Sequence, residues 1–148
     1  MDTKEIKKQI IELERKINVK FPDLYVDFLS KINDGDTFEI KNTGICMYSY
    51  SDLEERNETY QVYEFEPKYF MIGQDGDLAF FIFRNNPNNN SIYSNDLGAL
   101  GSVDMKKEAD NIFDFIKLFE WLYINCRMKN NLSVKLRLPN KFAVLLAL

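Results

Sequence analysis

Leu78-Ala79-Phe80-Phe81-Ile82-Phe83 is apolar at every position. A strand sends successive side chains to opposite faces, so such a run buries both faces and belongs in the middle of a sheet covered on each side. A chain of 148 residues has the size of one domain. Its 45% hydrophobic content, with 12 Phe, 8 Tyr and 1 Trp, is enough to build a core on both sides of that strand.

The flanking segments supply the cover. Ile6, Ile10, Leu13 and Ile17 form one helical stripe behind an N-cap pairing of Asp2 with Glu5, which predicts a helix over residues 3–17. Pro22 opens a second helix whose stripe is Leu24, Tyr25, Phe28, Leu29 and Ile32, stopped by Asn33-Asp34-Gly35-Asp36. The two helices are expected to pack as a hairpin. Phe38 and Ile40 alternate with Glu39 and Lys41, and Asn42-Thr43-Gly44 turns the chain into Ile45–Tyr48, a β-hairpin pattern. A helix is expected from Ser51-Asp52-Leu53 to about Tyr63. Tyr69–Gly73, Ile92-Tyr93 and Leu100–Val103 read as short strands. Gln74–Asp77 reads as a tight turn, and the Asn-rich stretch from Arg84 to Asn90 as exposed loop. The last helix spans Ala109–Cys126, with Ile112, Phe113, Ile116, Phe119, Leu122 and Tyr123 inward. Helices at both ends and hairpin-length links between strands predict a single α+β domain over residues 1–126. Its sheet is mainly antiparallel, with an N-terminal helix hairpin and a C-terminal helix packed on the sheet.

Several chemistries lose their residues. The chain has no histidine, which removes His-based metal sites and Ser/His or Cys/His nucleophile pairs. Cys46 and Cys126 are too few for a disulfide scaffold or a Cys-only zinc site, and read as small apolar fillers. Trp121 reads as core. A net charge of -4 argues against direct nucleic-acid binding. The charged start, Met1-Asp2-Thr3-Lys4-Glu5, lacks a signal-peptide pattern, and the longest apolar run, Phe142–Leu148, is too short to cross a bilayer. A cytoplasmic protein with no membrane contact is the expectation, and there the sequon Asn57-Glu58-Thr59 carries no meaning. Asp34, Asp36, Asp75 and Asp77 lie in turns, but neither turn has the alternating oxygen ligands and terminal Glu of a calcium loop. They read as turn residues, with no metal and no cofactor. A carboxylate-based enzyme remains an alternative, which two facing acids in a deep pocket would support.

Four ordered blocks resemble the SUKH superfamily, named partly for fungal cell-wall regulators of Smi/Knr type. The first is Phe21-Pro22-Asp23-Leu24-Tyr25 with Phe28-Leu29 and Asn33-Asp34-Gly35. The second is Phe70-Met71-Ile72-Gly73 running into Asp75-Gly76-Asp77. Ile92-Tyr93 with Asp96 forms the third, and Ala109, Ile112, Phe113 and Phe115 the last. The chain departs from the family pattern at Asp34, where a second glycine is usual, and in the shorter second block. The resemblance implies an α+β domain without catalysis. It also implies an immunity role in bacterial members, which bind and neutralise a toxin, often a nuclease, from neighbouring cells. The family's eukaryotic side implies the alternative of a regulatory protein-binding module.

Charge adds an independent reading. Residues 21–96 carry five basic and fourteen acidic side chains, for -9, while residues 1–20 carry +2 and 97–148 carry +3. A nuclease presents cations to phosphate, so carboxylates opposing it speed and select association. The candidate partner-binding residues are Asp34, Asp36, Glu39, Asp52, Glu54, Glu55, Glu58, Glu64, Asp75 and Asp77, with Tyr48, Tyr50 and Tyr60 as rigid contact area. The competing reading makes Glu54, Glu55 and Glu58 merely the wet side of a helix. Residues 127–148 form a basic, apolar extension with five Lys/Arg and no acid. It is expected to pack on the same domain, with docking on a second copy as the alternative.

Overall fold

The computed structural model describes residues 2–32 and 35–130, with side chains as far as Leu122. Tyr123, Cys126, the turn residues Asn33 and Asp34, and the rest of the C-terminal extension therefore lie outside the described side chains. Six strands form one sheet in the order β1-β2-β3-β4-β5-β6, each antiparallel to the next. With helices before, between and after the strands, this is an α+β domain.

α1 (Thr3–Ile17) begins where expected, with the Asp2 carboxylate accepting the Glu5 N–H at 2.8 Å. It ends at Asn18, which takes the left-handed conformation at φ 54°. Glu14 is buried at its C-terminal end, where its carboxylate accepts the Phe21 N–H at 2.8 Å and meets Lys20 Nζ at 3.5 Å. α2 (Asp23–Leu29) follows Pro22 and stops three residues short of Ile32, which lies in the turn beyond it. Lys7 Nζ reaches Asp27 Oδ1 at 3.2 Å between α1 and α2.

β1 (Phe38–Glu39) and β2 (Cys46–Met47) are the short hairpin around Asn42-Thr43-Gly44. β3 (Tyr69–Asp75) and β4 (Leu78–Phe83) are joined by the Gly76-Asp77 turn, and β5 (Ile92–Asp96) pairs with β4 on its other side. β4 is thus interior, and Ala79, Phe80, Phe81 and Ile82 are buried. One row across the sheet runs Met47, Gly73, Phe80, Ser94, and the next runs Cys46, Gln74, Ala79, Asn95. Neighbouring rows face opposite ways. Phe80 meets Phe115 of α5 (Ile112–Asn130) with ring centroids 4.9 Å apart, so α5 covers the first face. Phe28 joins Phe38 and Phe113 on that side, and Phe21 meets Phe70 there. The second face carries Tyr69, Phe81, Phe83 and Tyr93, whose rings touch one another. Gly73 is a close approach of β2 to β3: a Cβ there would lie 2.6 Å from the Cys46 carbonyl oxygen and 2.7 Å from the Met47 sulfur.

Four local expectations change. The helix expected to reach Tyr63 is two: α3 (Leu53–Thr59) and α4 (Val62–Phe65), separated where Gln61 adopts φ 53°. This break lets Val62 turn fully into the core. Leu100–Val103 is not a strand. A short 3-10 turn occupies Leu97–Ala99, and the sixth strand is β6 (Lys106–Ala109). Its lysines suit a sheet edge, where charge discourages pairing with other chains. The last helix starts at Ile112 because Ala109 belongs to β6, and Phe115, absent from the expected inward set, is completely buried. The Asn-rich loop does more than span a gap. Asn85 Oδ1 accepts the Lys20 N–H at 3.0 Å, and Asn90 Oδ1 accepts the Leu24 N–H at 3.2 Å. Pro22 offers α2 no side-chain cap, so Asn90 supplies one from far along the chain.

Candidate partner-binding surface

α3 is the element that organises the acidic candidates. Its inner side buries Leu53 and Asn57, and Asn57 hydrogen-bonds the backbone of Met71 and of Leu53. With that side fixed against β3, Glu54, Glu55 and Glu58 are left on the outer side. Asp52 precedes the helix and its carboxylate accepts from Ser49 Oγ at 3.5 Å, although it makes no side-chain cap to α3.

The carboxylates do not stand alone. Lys16 of α1 donates to Glu54 Oε2 at 2.8 Å, and that bond, with attraction from Glu54 and Glu58, raises the Lys16 pKa. Glu55 meets Arg56 Nε at 3.4 Å and accepts from Thr59 Oγ1 at 2.9 Å. Two cations from this region thus offset part of the negative field, and the potential is weaker than a count of acids implies. Tyr50, Glu54 and Lys16 line a shallow depression with Leu13, Gln9 and Ser51.

A second group sits at the β3–β4 turn end of the sheet. Gln74 links two of the tyrosines: its Oε1 accepts from the Tyr48 hydroxyl, and its Nε2 donates to the Tyr60 hydroxyl at 3.4 Å and to the Gly76 carbonyl at 2.9 Å. Tyr48 is only 5% exposed, and burial raises its pKa. Its ring lies 5.7 Å from the Arg56 guanidinium. It supports the surface from beneath, while Tyr50 and Tyr60 remain half-buried. Asp75 lies beside Gly44 of the hairpin turn, and Glu39 is exposed on β1, opposite Cys46 in the row that continues to Gln74. Asp77 is exposed in the turn, where its carbonyl accepts the Leu97 N–H at 2.7 Å.

The fold therefore brings together Tyr48, Tyr60 and, through Arg56, the α3 carboxylates, while Asp75 sits in the row next to Gln74, on the opposite face. Exposed Asp36 and Glu64 make no side-chain hydrogen bond or ion pair with this group, and Asp34 lies outside the described residues. Cys46 is half-buried in β2. Lys16, Asn57 and Gln74 were not among the sequence candidates. Only the sheet register places Gln74 beside Tyr48, and Lys16 meets Glu54 across 38 residues. Among the described residues no group of three or more His, Cys, Asp or Glu is arranged to hold a metal ion. No helix among them is long and apolar enough to cross a membrane.

A family model described as the SMI1 / KNR4 family (SUKH-1) matches residues 7–118, from α1 into α5. No curated protein matches the chain.

Proposed function

Because the chain belongs to the SMI1 / KNR4 family (SUKH-1), we propose that it is an immunity protein. It binds a cognate toxin, a basic nuclease, and neutralises it without catalysis. The observation that carries this reading is the seating of α3. Asn57 fixes the helix to β3 through the Met71 backbone, so Glu54, Glu55 and Glu58 project from a rigid element. Pre-ordered charges lose little entropy when a partner arrives, and opposite charge speeds the encounter. Tyr50 and Tyr60 add amphipathic contact area beside them.

Co-expression with the toxin encoded beside the gene tests the reading. Protection of the cell and a purified complex are expected. No protection and no complex, together with capture of housekeeping proteins from the native cell, would instead favour a regulatory binding module.

A further inference from the structure

The loop between the 3-10 turn and β6 crosses the sheet's second face beside Tyr69 and is tied down at both ends. Gly101 donates its N–H to Glu66 Oε1 at 2.8 Å, and Asn95, itself buried, donates Nδ2 to the Val103 carbonyl at 2.9 Å. Gly101 has φ 79°, and a Cβ there would meet the Phe65 carbonyl oxygen at 3.4 Å, so the loop comes close to the end of α4. Between them lies an open concavity of about 430 Å³. Its lining includes Phe65, Glu66, Lys68, Tyr69, Val103 and Asp104. Phe65 and Val103 are two of the four large hydrophobic side chains exposed among the described residues, at 44% and 57%. The Tyr69 ring continues this surface into Phe83 and Tyr93, with centroids 4.8 and 5.4 Å away.

We propose that this concavity receives an arginine side chain of a protein partner, held against the Tyr69 ring and balanced by the carboxylates of Glu66 and Asp104. That the arginine comes from a protein rests on the immunity reading above. A guanidinium stacks on aromatic faces and forks its N–H groups toward carboxylates, which matches a wall of one kind and a rim of the other. Both carboxylates act on the tyrosine: burial raises the Tyr69 pKa, and Tyr93, Glu66 and Asp104 raise it further. Exposed Lys68 is a single cation against these two acids. Because both ends of the loop are already bonded, the cleft is formed before the ligand arrives. This surface is separate from the α3 carboxylates and carries none of the candidate partner-binding residues named from the sequence.

The test titrates the isotope-labelled full chain with N-acetyl-arginine-N-methylamide, using the lysine and norleucine analogues as comparisons. Saturable shifts are expected at the amides of Tyr69 and Ser102–Met105, stronger with arginine than with lysine and absent with norleucine. The double variant Glu66→Gln, Asp104→Asn keeps an acceptor for the Gly101 N–H and should weaken the response about fivefold. No saturation, an equal response to norleucine or lysine, shifts located elsewhere, or indifference to the double variant would each overturn the proposal. The co-encoded toxin supplies a second arm. A toxin that binds wild type and double variant equally removes this contact and leaves the immunity reading standing. A toxin that does not bind at all, beside a positive arginine titration, removes the immunity reading and keeps the site.

Discussion

Asn57 gives Met71 both hydrogen bonds of a strand neighbour that is not there. Its Oδ1 accepts the Met71 N–H at 2.8 Å and its Nδ2 donates to the Met71 carbonyl at 2.9 Å. β2 pairs with β3 at Gly73 and Gln74, and the Tyr48 N–H then donates to the Ile72 carbonyl at 3.0 Å, so the Met71 backbone lies just past the last contact from that side. A single buried amide fills the gap and fixes α3 in the same step.

Replacing Asn57 by Ala should therefore cost more than an ordinary surface change. It leaves two buried backbone groups unpaired and opens a small cavity, for a loss of about 3 kcal/mol in denaturant unfolding. Hydrogen exchange at the Met71 amide should quicken even where the variant stays folded. An unfolding midpoint indistinguishable from wild type would contradict the assigned role.

Tyr25 makes the opposite case. Among the described residues its hydroxyl is buried with no hydrogen-bond partner, while its ring packs on Phe21 and Phe28. Tyr25→Phe keeps the ring and removes the unpaired group, so stability should rise by about 1 kcal/mol. Thermal unfolding would show this as a midpoint about 3 °C higher.

Stability should also fall in alkali, with a sign that follows from the same burial. Burial raises the pKa of Tyr25 and Tyr48 above the ordinary 10.0. As pH climbs past that value the unfolded chain loses these protons while the folded chain keeps them. The folded state then binds more protons, and its stability drops with each further rise in pH. Lys16, raised by Glu54, acts in the same direction above its ordinary 10.5. Stability should be level with respect to these groups up to about pH 9.5 and decline beyond, less steeply in Tyr25→Phe. Equal alkaline slopes in the two proteins would count against this account.

The Asn-rich loop makes its own prediction. Asn90→Ala removes the acceptor for the Leu24 N–H at the start of α2 and should cost about 1 kcal/mol, as loss of a helix cap does. Asn88→Ala, in the same exposed loop and without such a bond, is the control and should be near neutral.

Much of the fold was legible because it depends on neighbours in sequence. The Asp2 cap, the four-residue stripe of α1 and the unbroken apolar run of β4 all signal locally. β6 did not, since Lys106-Lys107-Glu108-Ala109 is an edge strand with its lysines toward solvent and has no hydrophobic alternation to read. The break at Gln61 was hidden as well, because nothing about glutamine announces a left-handed residue; the burial of Val62 goes with it. Asn57 lay among glutamates and stood out only as the first residue of a sequon. In the candidate surface, residue types were visible but not their partners. The Lys16–Glu54 bond and the Tyr48–Gln74 pair exist only once α1, α3 and the strands are assembled.

The association rate with the purified co-encoded toxin tests the central claim most directly. It should be measured at low and high salt for wild type and for Glu54→Lys, Glu58→Lys, with folding of the variant checked by circular dichroism. The account predicts a saturable complex whose association slows with salt. Charge reversal should slow it by about tenfold at low salt while dissociation changes little. Absence of any complex at micromolar concentrations would contradict the claim that this protein acts by binding that toxin.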